Sequence, residues 1–257
     1  MAKPAVLLVG GAWHTADYLG PLSKVFQGEG YPTVTLGLPS VGSSPAAKDF
    51  SADVNAVRDR AKRLIAEHEE LIVVLHSFGG IVGTEALHGL GKASSADAGG
   101  EGGGRVIAIV YIASMVPKAG DCFDTHLEAV GDTTWAPAKE AFTQEGMLAL
   151  PPELAMGMLY NDLPEDQAKH WTSLVKPQST GVYESPITHE TYKEIPSGYI
   201  LTTNDQAFKH DYQLKTVEMA GFPKEMTKTM ETGHIPFLTK PEEVKDFVVR
   251  VAGGLQG

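Results

Sequence analysis

Residues 73–80 read Val-Val-Leu-His-Ser-Phe-Gly-Gly, an apolar run that gives way to His-Ser and then, one residue on, to a glycine pair. This order is typical of a buried strand that ends in a tight turn with Ser77 exposed at its apex, because Gly79 and Gly80 let the next helix start close to the strand. The pattern favours a nucleophilic serine, although Leu75 stands where the usual G-x-S-x-G pattern has glycine. A serine that only caps the strand end before a helix is the alternative interpretation.

Two later segments carry the partners that a nucleophilic serine requires. Residues 197–205 form a β-rich run that ends in Asp205, and residues 231–237 place His234 just before a final amphipathic segment. A serine hydroxyl needs a base within hydrogen-bond reach, and the imidazole that serves as base is oriented by a carboxylate. The order serine, acid, histidine is that of an α/β-hydrolase, not of the chymotrypsin or subtilisin types. The sequence therefore predicts Ser77, Asp205 and His234 as catalytic residues.

A glycine pair after the first apolar run predicts backbone donors for the same reaction. Residues 5–9 are apolar and lead into Gly-Gly-Ala-Trp-His at residues 10–14. Such a turn lets backbone N–H groups face a pocket, where they stabilise the oxyanion of an acyl-transfer intermediate. We expect the N–H groups of Ala12 and of Phe78, the residue after the nucleophile, to form this oxyanion hole. Taken alone, the glycine pair indicates only a plain tight turn.

Four stretches together resemble the small α/β-hydrolases of the plant methylesterase and hydroxynitrile lyase type and their bacterial and fungal relatives. The matching residues are Val-Leu-Leu-Val-Gly-Gly-Ala-Trp-His at 6–14, His-Ser-Phe-Gly-Gly at 76–80, Asn-Asp at 204–205 and Gly-His-Ile-Pro-Phe at 233–237. The resemblance spans nearly the whole chain. It implies the α/β-hydrolase fold, with a mostly parallel eight-stranded sheet flanked by helices and a helical cap. This chain departs from the family at Gly10, where members often carry histidine, and at Leu75, where they carry glycine.

Composition restricts the classes of partner. The 257 residues carry a formal net charge of −11, which argues against nucleic acid or an anionic membrane as a partner, because both bind surfaces rich in Lys and Arg. The sequence shows neither a signal-peptide pattern nor an apolar run of membrane-helix length, and the single Cys122 excludes an internal disulfide. We therefore expect a cytoplasmic protein, with a homodimer as one option for its assembly.

The sequence carries no motif for a metal or a cofactor. The histidines are not grouped at metal-ligand spacing, and neither H-E-x-x-H nor C-x-x-C occurs. The turn at residues 10–14 does not fit the G-x-G-x-x-G pattern of a dinucleotide site. We expect the protein to use neither a metal nor a cofactor.

Strands and helices alternate along most of the chain, as in a wound parallel sheet. Apart from the stretches above, strands are predicted at 33–36, 105–112 and 226–230, and helices near 18–27, 51–68, 80–90 and 241–251. Residues 118–193 interrupt this alternation with helical patterns near 137–148, 152–160 and 164–174. We interpret 118–193 as a helical cap inserted into a core of residues 1–117 and 194–257. The Gly- and Ser-rich residues 91–104 are predicted to be a surface loop.

Several large side chains are candidates for a substrate pocket beneath this cap. They are Trp13, His14, Trp135, Met158 and Trp171. For any one of the apolar residues, packing between cap and core is the more common role. His14 follows the oxyanion loop and is a candidate for substrate contact, whereas loop histidines are more often solvated or hydrogen-bonded. His76 is expected to point away from the pocket.

These features indicate a serine hydrolase, which we expect to cleave an ester or lactone of a small, largely apolar organic molecule through an acyl-enzyme on Ser77. Two other hypotheses stay open. The same residues could serve a lyase or an enzyme that cleaves or cyclises C–C bonds, and the fold could belong to a non-catalytic protein that binds small molecules. Relatives that cleave cyanohydrins carry lysine after the catalytic histidine and threonine in the oxyanion loop. Ile235 and Gly11 stand at those positions here, which argues against that version of the lyase.

Overall fold

The main sheet is built largely from the apolar runs of the sequence. The structure, a computed structural model, describes residues 3–91 and 104–254. In this part of the chain the strands are β1 (Ala5–Val9), β2 (Thr33–Leu36), β3 (Glu70–His76), β4 (Arg105–Ile112), β5 (Thr143–Gln144), β6 (Met147–Leu148), β7 (Gln178–Ser179), β8 (Ser197–Thr202) and β9 (Thr227–Met230). Six of them form the main sheet in the order β2-β1-β3-β4-β8-β9, and every neighbouring pair in it is parallel. Strands β5, β6 and β7 form a separate small antiparallel sheet.

The mostly parallel sheet of the prediction is confirmed, but the number of its strands differs. The family resemblance implies eight strands, whereas the main sheet has six over residues 3–91 and 104–254. No strand of the described main sheet runs antiparallel to its neighbour.

Helices cover both faces of the main sheet. They are α1 (Gly20–Gly28), α2 (Ser51–His68), α3 (Gly79–Ala86), α4 (Phe123–Val130), α5 (Trp135–Phe142), α6 (Pro152–Leu159), α7 (Glu165–Leu174), α8 (His210–Ala220), α9 (Pro236–Thr239) and α10 (Pro241–Ala252), with short 3-10 helices at Ala16–Leu19, Thr180–Glu184, Thr191–Lys193 and Lys224–Met226. Successive side chains of a strand point to opposite faces. Leu7 and Val9 of β1 accordingly pack in one buried cluster with α2 and α3, and Val6 and Leu8 pack in another with α1 and α10.

Most element boundaries agree with the sequence-based expectations. Strands β1, β2 and β4 and helix α2 have the predicted bounds. Helix α3 is shorter than predicted and ends at Ala86. The helical pattern near 137–148 is wrong in its second half, because α5 ends at Phe142 and a hairpin of β5 and β6 follows. Glu145 and Gly146 both have positive φ, 50° and 76°, as the tight two-residue turns of hairpins require.

The order of the strands places the site. The chain runs from β1 outward to β2 on one side and returns through β3 on the other, so the strand order reverses between β1 and β3. In parallel α/β sheets, ligands bind beyond the carboxyl ends of the strands at such a reversal. The residues that follow β1 and β3, 10–14 and 77–80, meet at this point. The segment between β4 and β8 carries α4 to α7 and the small sheet, and its interpretation as a cap stays a prediction.

Two further expectations, a surface loop at 91–104 and the lack of a membrane-spanning helix, can be compared with the described residues only. Of the predicted surface loop at 91–104, residues 92–103 lie outside the described residues. Over residues 3–91 and 104–254, no helix combines the length and the apolar character that crossing a bilayer requires.

Candidate active site

Ser77 lies at the turn between β3 and α3, in a backbone conformation that is rare for a serine. Its φ is 53°, in the left-handed region, a conformation that costs free energy and persists only where the surroundings enforce it. Its N–H donates to the Ile112 carbonyl at 3.0 Å, and its carbonyl accepts from the Ser114 hydroxyl at 2.7 Å. A Cβ on Gly79 would lie 2.5 Å from the Gly10 carbonyl oxygen, so only glycine lets the helix start this close. The strained serine is thus held from both sides.

His234 and Asp205 extend from Ser77 in one line. His234 Nε2 lies 3.0 Å from Ser77 Oγ, and His234 Nδ1 lies 2.8 Å from Asp205 Oδ2. All three residues are buried to more than nine-tenths. Asp205 follows β8 and His234 follows β9, so the ends of neighbouring strands bring the predicted residues together. Further donors to the Asp205 carboxylate are Thr202 Oγ1 and Gln213 Nε2 at Oδ2, and the N–H groups of Ala207 and Phe208 at Oδ1.

The two predicted oxyanion donors face the same space. Ala12 and Phe78 are buried, and both line the cavity that Ser77 and His234 line. Among the hydrogen bonds of the described residues, neither of their N–H groups has an acceptor. Buried backbone N–H groups are rarely left unpaired in folded proteins. Two such groups beside a serine and a histidine could stabilise negative charge on a bound oxygen atom.

A cavity of about 380 Å³ opens above Ser77. Of the predicted pocket residues, Trp13, Trp135 and Met158 line it. His14 and Trp171 do not, and they instead border a separate cavity of about 10 Å³. Other parts of the lining were not predicted from the sequence. They belong to α4, to α5 beyond Trp135 and to the loop after Asp205, and they are Leu127, Ala138, Phe142, Gln206, Ala207 and Phe208. The amphipathic pattern of residues 123–130 is the signal that could have revealed α4.

His14 follows Ala12 and Trp13 in the loop after β1, and both of its ring nitrogens are hydrogen-bonded. Its Nδ1–H donates to the Ala12 carbonyl at 2.7 Å, and its Nε2 accepts from the Tyr160 hydroxyl at 2.7 Å. Burial lowers the pKa of His14 to about 4, because the charged imidazole would lose its hydration. The side chain is therefore neutral and hydrogen-bonded, the more common of the two roles considered for it, and it is not part of the cavity lining.

His76 points away from the cavity, as the sequence predicts, and contacts two other parts of the site. Its Nδ1 accepts from the Tyr18 hydroxyl at 2.8 Å, and its Nε2–H donates to the His234 carbonyl at 3.0 Å. Burial and the nearby His234 ring hold the pKa of His76 well below its usual range, so the ring is neutral. The Tyr18 hydroxyl in turn accepts from the Gly11 N–H at 2.7 Å. No role in the site was predicted for Tyr18 from the sequence.

The charged side chains of the cavity lining are all acidic. Asp132 and Glu153 are its charged members, and no Lys or Arg belongs to the lining among the described residues. Glu153 is exposed, at the edge of the cavity. Over residues 3–91 and 104–254, no group of three or more His, Cys, Asp or Glu side chains is arranged to hold a metal ion.

Comparison with known proteins agrees with this architecture. A family model described as the alpha/beta hydrolase family matches residues 6–247. The alpha/beta hydrolase nvfD of Aspergillus novofumigatus is 28% identical over 255 residues, covering 98% of each chain. The structure of polyneuridine aldehyde esterase has a TM-score of 0.75 at 18% identity, covering 97% of this chain and 99% of that one. Methylketone synthase I of tomato, solved with 2-tridecanone, has a TM-score of 0.74 at 17% identity, covering 99% of both chains.

Proposed function

The chain belongs to the alpha/beta hydrolase family, and we propose that it hydrolyses an ester or lactone of a small, largely apolar molecule through an acyl-enzyme on Ser77. One observation carries this proposal. Ser77 Oγ, the His234 ring and the Asp205 carboxylate lie in a hydrogen-bonded line of 3.0 and 2.8 Å, and Ser77 and His234 both face the cavity. This is the arrangement that turns a serine hydroxyl into a nucleophile at neutral pH.

The first half of the reaction forms the acyl-enzyme. His234 Nε2 accepts the proton of Ser77 Oγ while Oγ attacks the carbonyl carbon of the substrate. The carbonyl oxygen becomes an oxyanion, and the N–H groups of Ala12 and Phe78 stabilise it. His234 then donates its proton to the leaving oxygen, the bond to the alcohol breaks, and the acyl group stays on Ser77.

The second half repeats these steps with water. His234 takes a proton from a water molecule, the resulting hydroxide adds to the acyl carbon, and Ser77 Oγ leaves with the proton from His234. Asp205 keeps the proton of the imidazole on Nδ1, so that Nε2 is free to act as the base, and it stabilises the imidazolium that forms. For a lactone, the leaving oxygen stays attached to the acyl group, and a single hydroxy acid is released.

The cavity supports a neutral, apolar substrate. Its lining is dominated by aromatic and aliphatic side chains such as Trp13, Phe123, Trp135, Leu148 and Met158. Its volume of about 380 Å³ suits a small organic molecule. A carboxylate on the substrate would be buried without a Lys or Arg partner among the described lining residues, which is costly for an ionised group. A neutral ester fits this lining better than an anionic one.

A panel of chromogenic esters with the Ser77→Ala variant tests the proposal. We expect turnover of neutral short-chain and aryl esters and weak turnover of esters whose acyl group carries a carboxylate. Ser77→Ala should lower the rate by roughly 10⁴- to 10⁶-fold.

A covalent label and a control variant complete the test. A fluorophosphonate should label the wild type at Ser77, and peptide mass spectrometry should locate the label there. Ser173→Ala, at an exposed serine of α7, is the matched control and should keep full activity. If Ser77→Ala kept more than a few per cent of the activity, the acyl-enzyme mechanism would be wrong.

A further inference from the structure

The amide groups on either side of Ala12 are both held by buried side chains from elsewhere in the chain. The Gly11 N–H donates to the Tyr18 hydroxyl at 2.7 Å. The Trp13 N–H donates to Gln178 Oε1 at 3.3 Å. The Ala12 N–H lies between these two bonds and has no acceptor among the hydrogen bonds of the described residues. The loop therefore presents the unpaired Ala12 N–H at the point where Ala12 lines the cavity.

We propose that Tyr18 and Gln178 are positioning residues, which clamp the oxyanion loop from both sides so that the Ala12 N–H points at the substrate oxygen. This inference rests on the function proposed above. The direction of an N–H is set by the plane of its peptide group, and a bond to each neighbouring amide fixes that plane. An oxyanion donor is effective because it is oriented before the reaction begins.

The Tyr18 side of the clamp is fixed by His76. The Tyr18 hydroxyl accepts from Gly11 and donates to His76 Nδ1 at 2.8 Å, because His76 Nε2–H is already committed to the His234 carbonyl. Tyr18 is 2% exposed and burial raises the pKa of its hydroxyl, so it keeps the proton that it donates. The same chain of bonds thus joins the oxyanion loop to the backbone of the histidine base.

The Gln178 side is fixed by a buried carboxylate. Ser40 donates to Asp53 twice, from Oγ to Oδ2 at 2.6 Å and from N to Oδ1 at 2.9 Å. With its proton given to Asp53, Ser40 Oγ can only accept, and it accepts from Gln178 Nε2 at 2.6 Å. The amide of Gln178 therefore has one possible orientation, with Oε1 turned to the Trp13 N–H. Gln178, Ser40 and Asp53 are each at most 1% exposed.

The loop conformation needs this support. Trp13 has a φ of 63°, a strained value for a bulky residue that persists only where its surroundings enforce it. Its carbonyl accepts from the Lys176 N–H at 2.9 Å, and its indole Nε1–H donates to the Leu148 carbonyl at 3.3 Å. Tyr18 also lies against Gly10, since a Cβ there would be 3.2 Å from Tyr18 Cε1.

Two single-site variants test the clamp, one on each side. Tyr18→Phe removes the acceptor of the Gly11 N–H, and Gln178→Met removes the acceptor of the Trp13 N–H while keeping the length of the side chain. Tyr111→Phe is the matched control, because Tyr111 is equally buried and its hydroxyl pairs with Thr84 Oγ1 at 2.9 Å, away from the loop. The readouts are kcat and KM for a neutral ester and the inhibition constant of a trifluoromethyl ketone, which forms a tetrahedral oxyanion on a serine.

We expect each clamp variant to lower kcat about 10- to 100-fold, less than the loss of a donor outright, which costs about 10²- to 10³-fold. KM should change less than twofold, and the trifluoromethyl ketone should bind more weakly by the same factor as kcat falls. Tyr111→Phe should leave all three values unchanged.

Three outcomes would overturn the clamp. The first is that either variant folds and keeps kcat within twofold of the wild type. The second is that kcat falls while inhibition by the ketone is unchanged, and the third is that Tyr111→Phe loses as much as Tyr18→Phe. Urea unfolding of each variant identifies any that does not fold, and the variant on the other side then decides alone. A failure of the proposed function itself would look different, because Ser77→Ala would then stay active.

Discussion

At the scale of single residues, the Asp205 carboxylate shows how the site controls one proton. Its Oδ2 faces His234 Nδ1 at 2.8 Å, and its Oδ1 accepts from the N–H groups of Ala207 and Phe208, both at 2.8 Å. Donors therefore surround both oxygens and fix the orientation of the carboxylate. His234 must carry its proton on Nδ1, which leaves Nε2 free to accept from Ser77.

The variant Asp205→Asn tests this control. Whichever way the amide turns, its NH2 group meets a donor, either His234 Nδ1–H or the two backbone N–H groups. The ring is then driven to the tautomer with Nε2 protonated, which cannot act as a base. We expect kcat to fall about 10³- to 10⁴-fold. Glu231→Gln, at the exposed carboxylate three residues before His234, should keep its activity. A kcat for Asp205→Asn within tenfold of the wild type would contradict this account.

Some of these residues can be predicted from the sequence and others cannot, for a physical reason. Ser77, Asp205 and His234 are chemically distinctive and follow strands, so pattern and chain order point to them. Gln178 is recognisable only through its bond to Trp13, which is 165 residues away along the chain. Tyr18 is close in sequence to Gly11, but tyrosines are common, and its role depends on where the 3-10 turn directs its hydroxyl.

At the scale of elements, β3 and α3 meet where Leu75 lies against Gly83. A Cβ on Gly83 would overlap the branched end of Leu75. Leu75 occupies the position at which the usual turn pattern has glycine, and a glycine on the facing helix makes room for it. Leu75, which departs from the usual turn pattern, is thus matched by a glycine six residues after Ser77, within α3. The strand and the helix can therefore pack closely, with the large side chain on β3 and the glycine on α3.

This pairing predicts a coupled pair of mutations. Gly83→Ala should destabilise the fold by about 1–3 kcal/mol through overpacking, and Leu75→Ala by about 2–5 kcal/mol through the space it leaves. The double variant should be less destabilised than the sum, by about 0.5–3 kcal/mol, because each change relieves the other. Urea unfolding measures all three. Gly157→Ala on α6 is the matched control, since a Cβ there has nothing within 4 Å. Equal effects of Gly83→Ala and Gly157→Ala would refute the coupling.

The elements themselves were largely predictable, and the exceptions share a cause. Buried parallel strands and the long amphipathic α2 follow from the periodicity of apolar residues, so the bounds of β1, β2, β4 and α2 were predicted correctly. The hairpin after α5 was not, because it depends on Glu145 adopting a positive φ of 50°, which glutamate seldom does. Helix α4 was missed within the segment between β4 and β8, where apolar residues serve both packing and the cavity. The domain limits at 117 and 194, the homodimer and the cytoplasmic location stay predictions.

At the scale of the whole molecule, buried histidines tie stability to pH. His14, His76 and His126 are each at most 4% exposed. Burial lowers the pKa of His14 and of His126 to about 4 and holds the pKa of His76 well below its usual range. The folded chain keeps these rings neutral, whereas the unfolded chain protonates them below about pH 6.5. Their contribution to stability is therefore complete above pH 6.5 and is lost as the pH falls towards 4.

We expect His14 and His126 each to lower the free energy of unfolding by about 2 kcal/mol between pH 7 and pH 5. His126→Gln should remove one such contribution, because glutamine does not titrate. His126 lies against Thr216 on α8 and is absent from the cavity lining, so the variant should keep its activity. Urea unfolding at the two pH values measures the difference. If the free energy of unfolding fell by the same amount between pH 7 and pH 5 in the wild type and in His126→Gln, His126 would not be a neutral buried ring.

The small antiparallel sheet touches the oxyanion loop twice, and this has an evolutionary consequence. Leu148 of β6 accepts from the Trp13 indole, and Gln178 of β7 accepts from the Trp13 N–H. Under the function proposed here, a mutation that reshapes this sheet to admit a new substrate would also disturb the Ala12 N–H, so selection would oppose it. Helices α4 and α5 line the same cavity without any hydrogen bond to residues 10–13 among the described residues. We expect lineages that diverge in substrate range to have done so chiefly through these two helices.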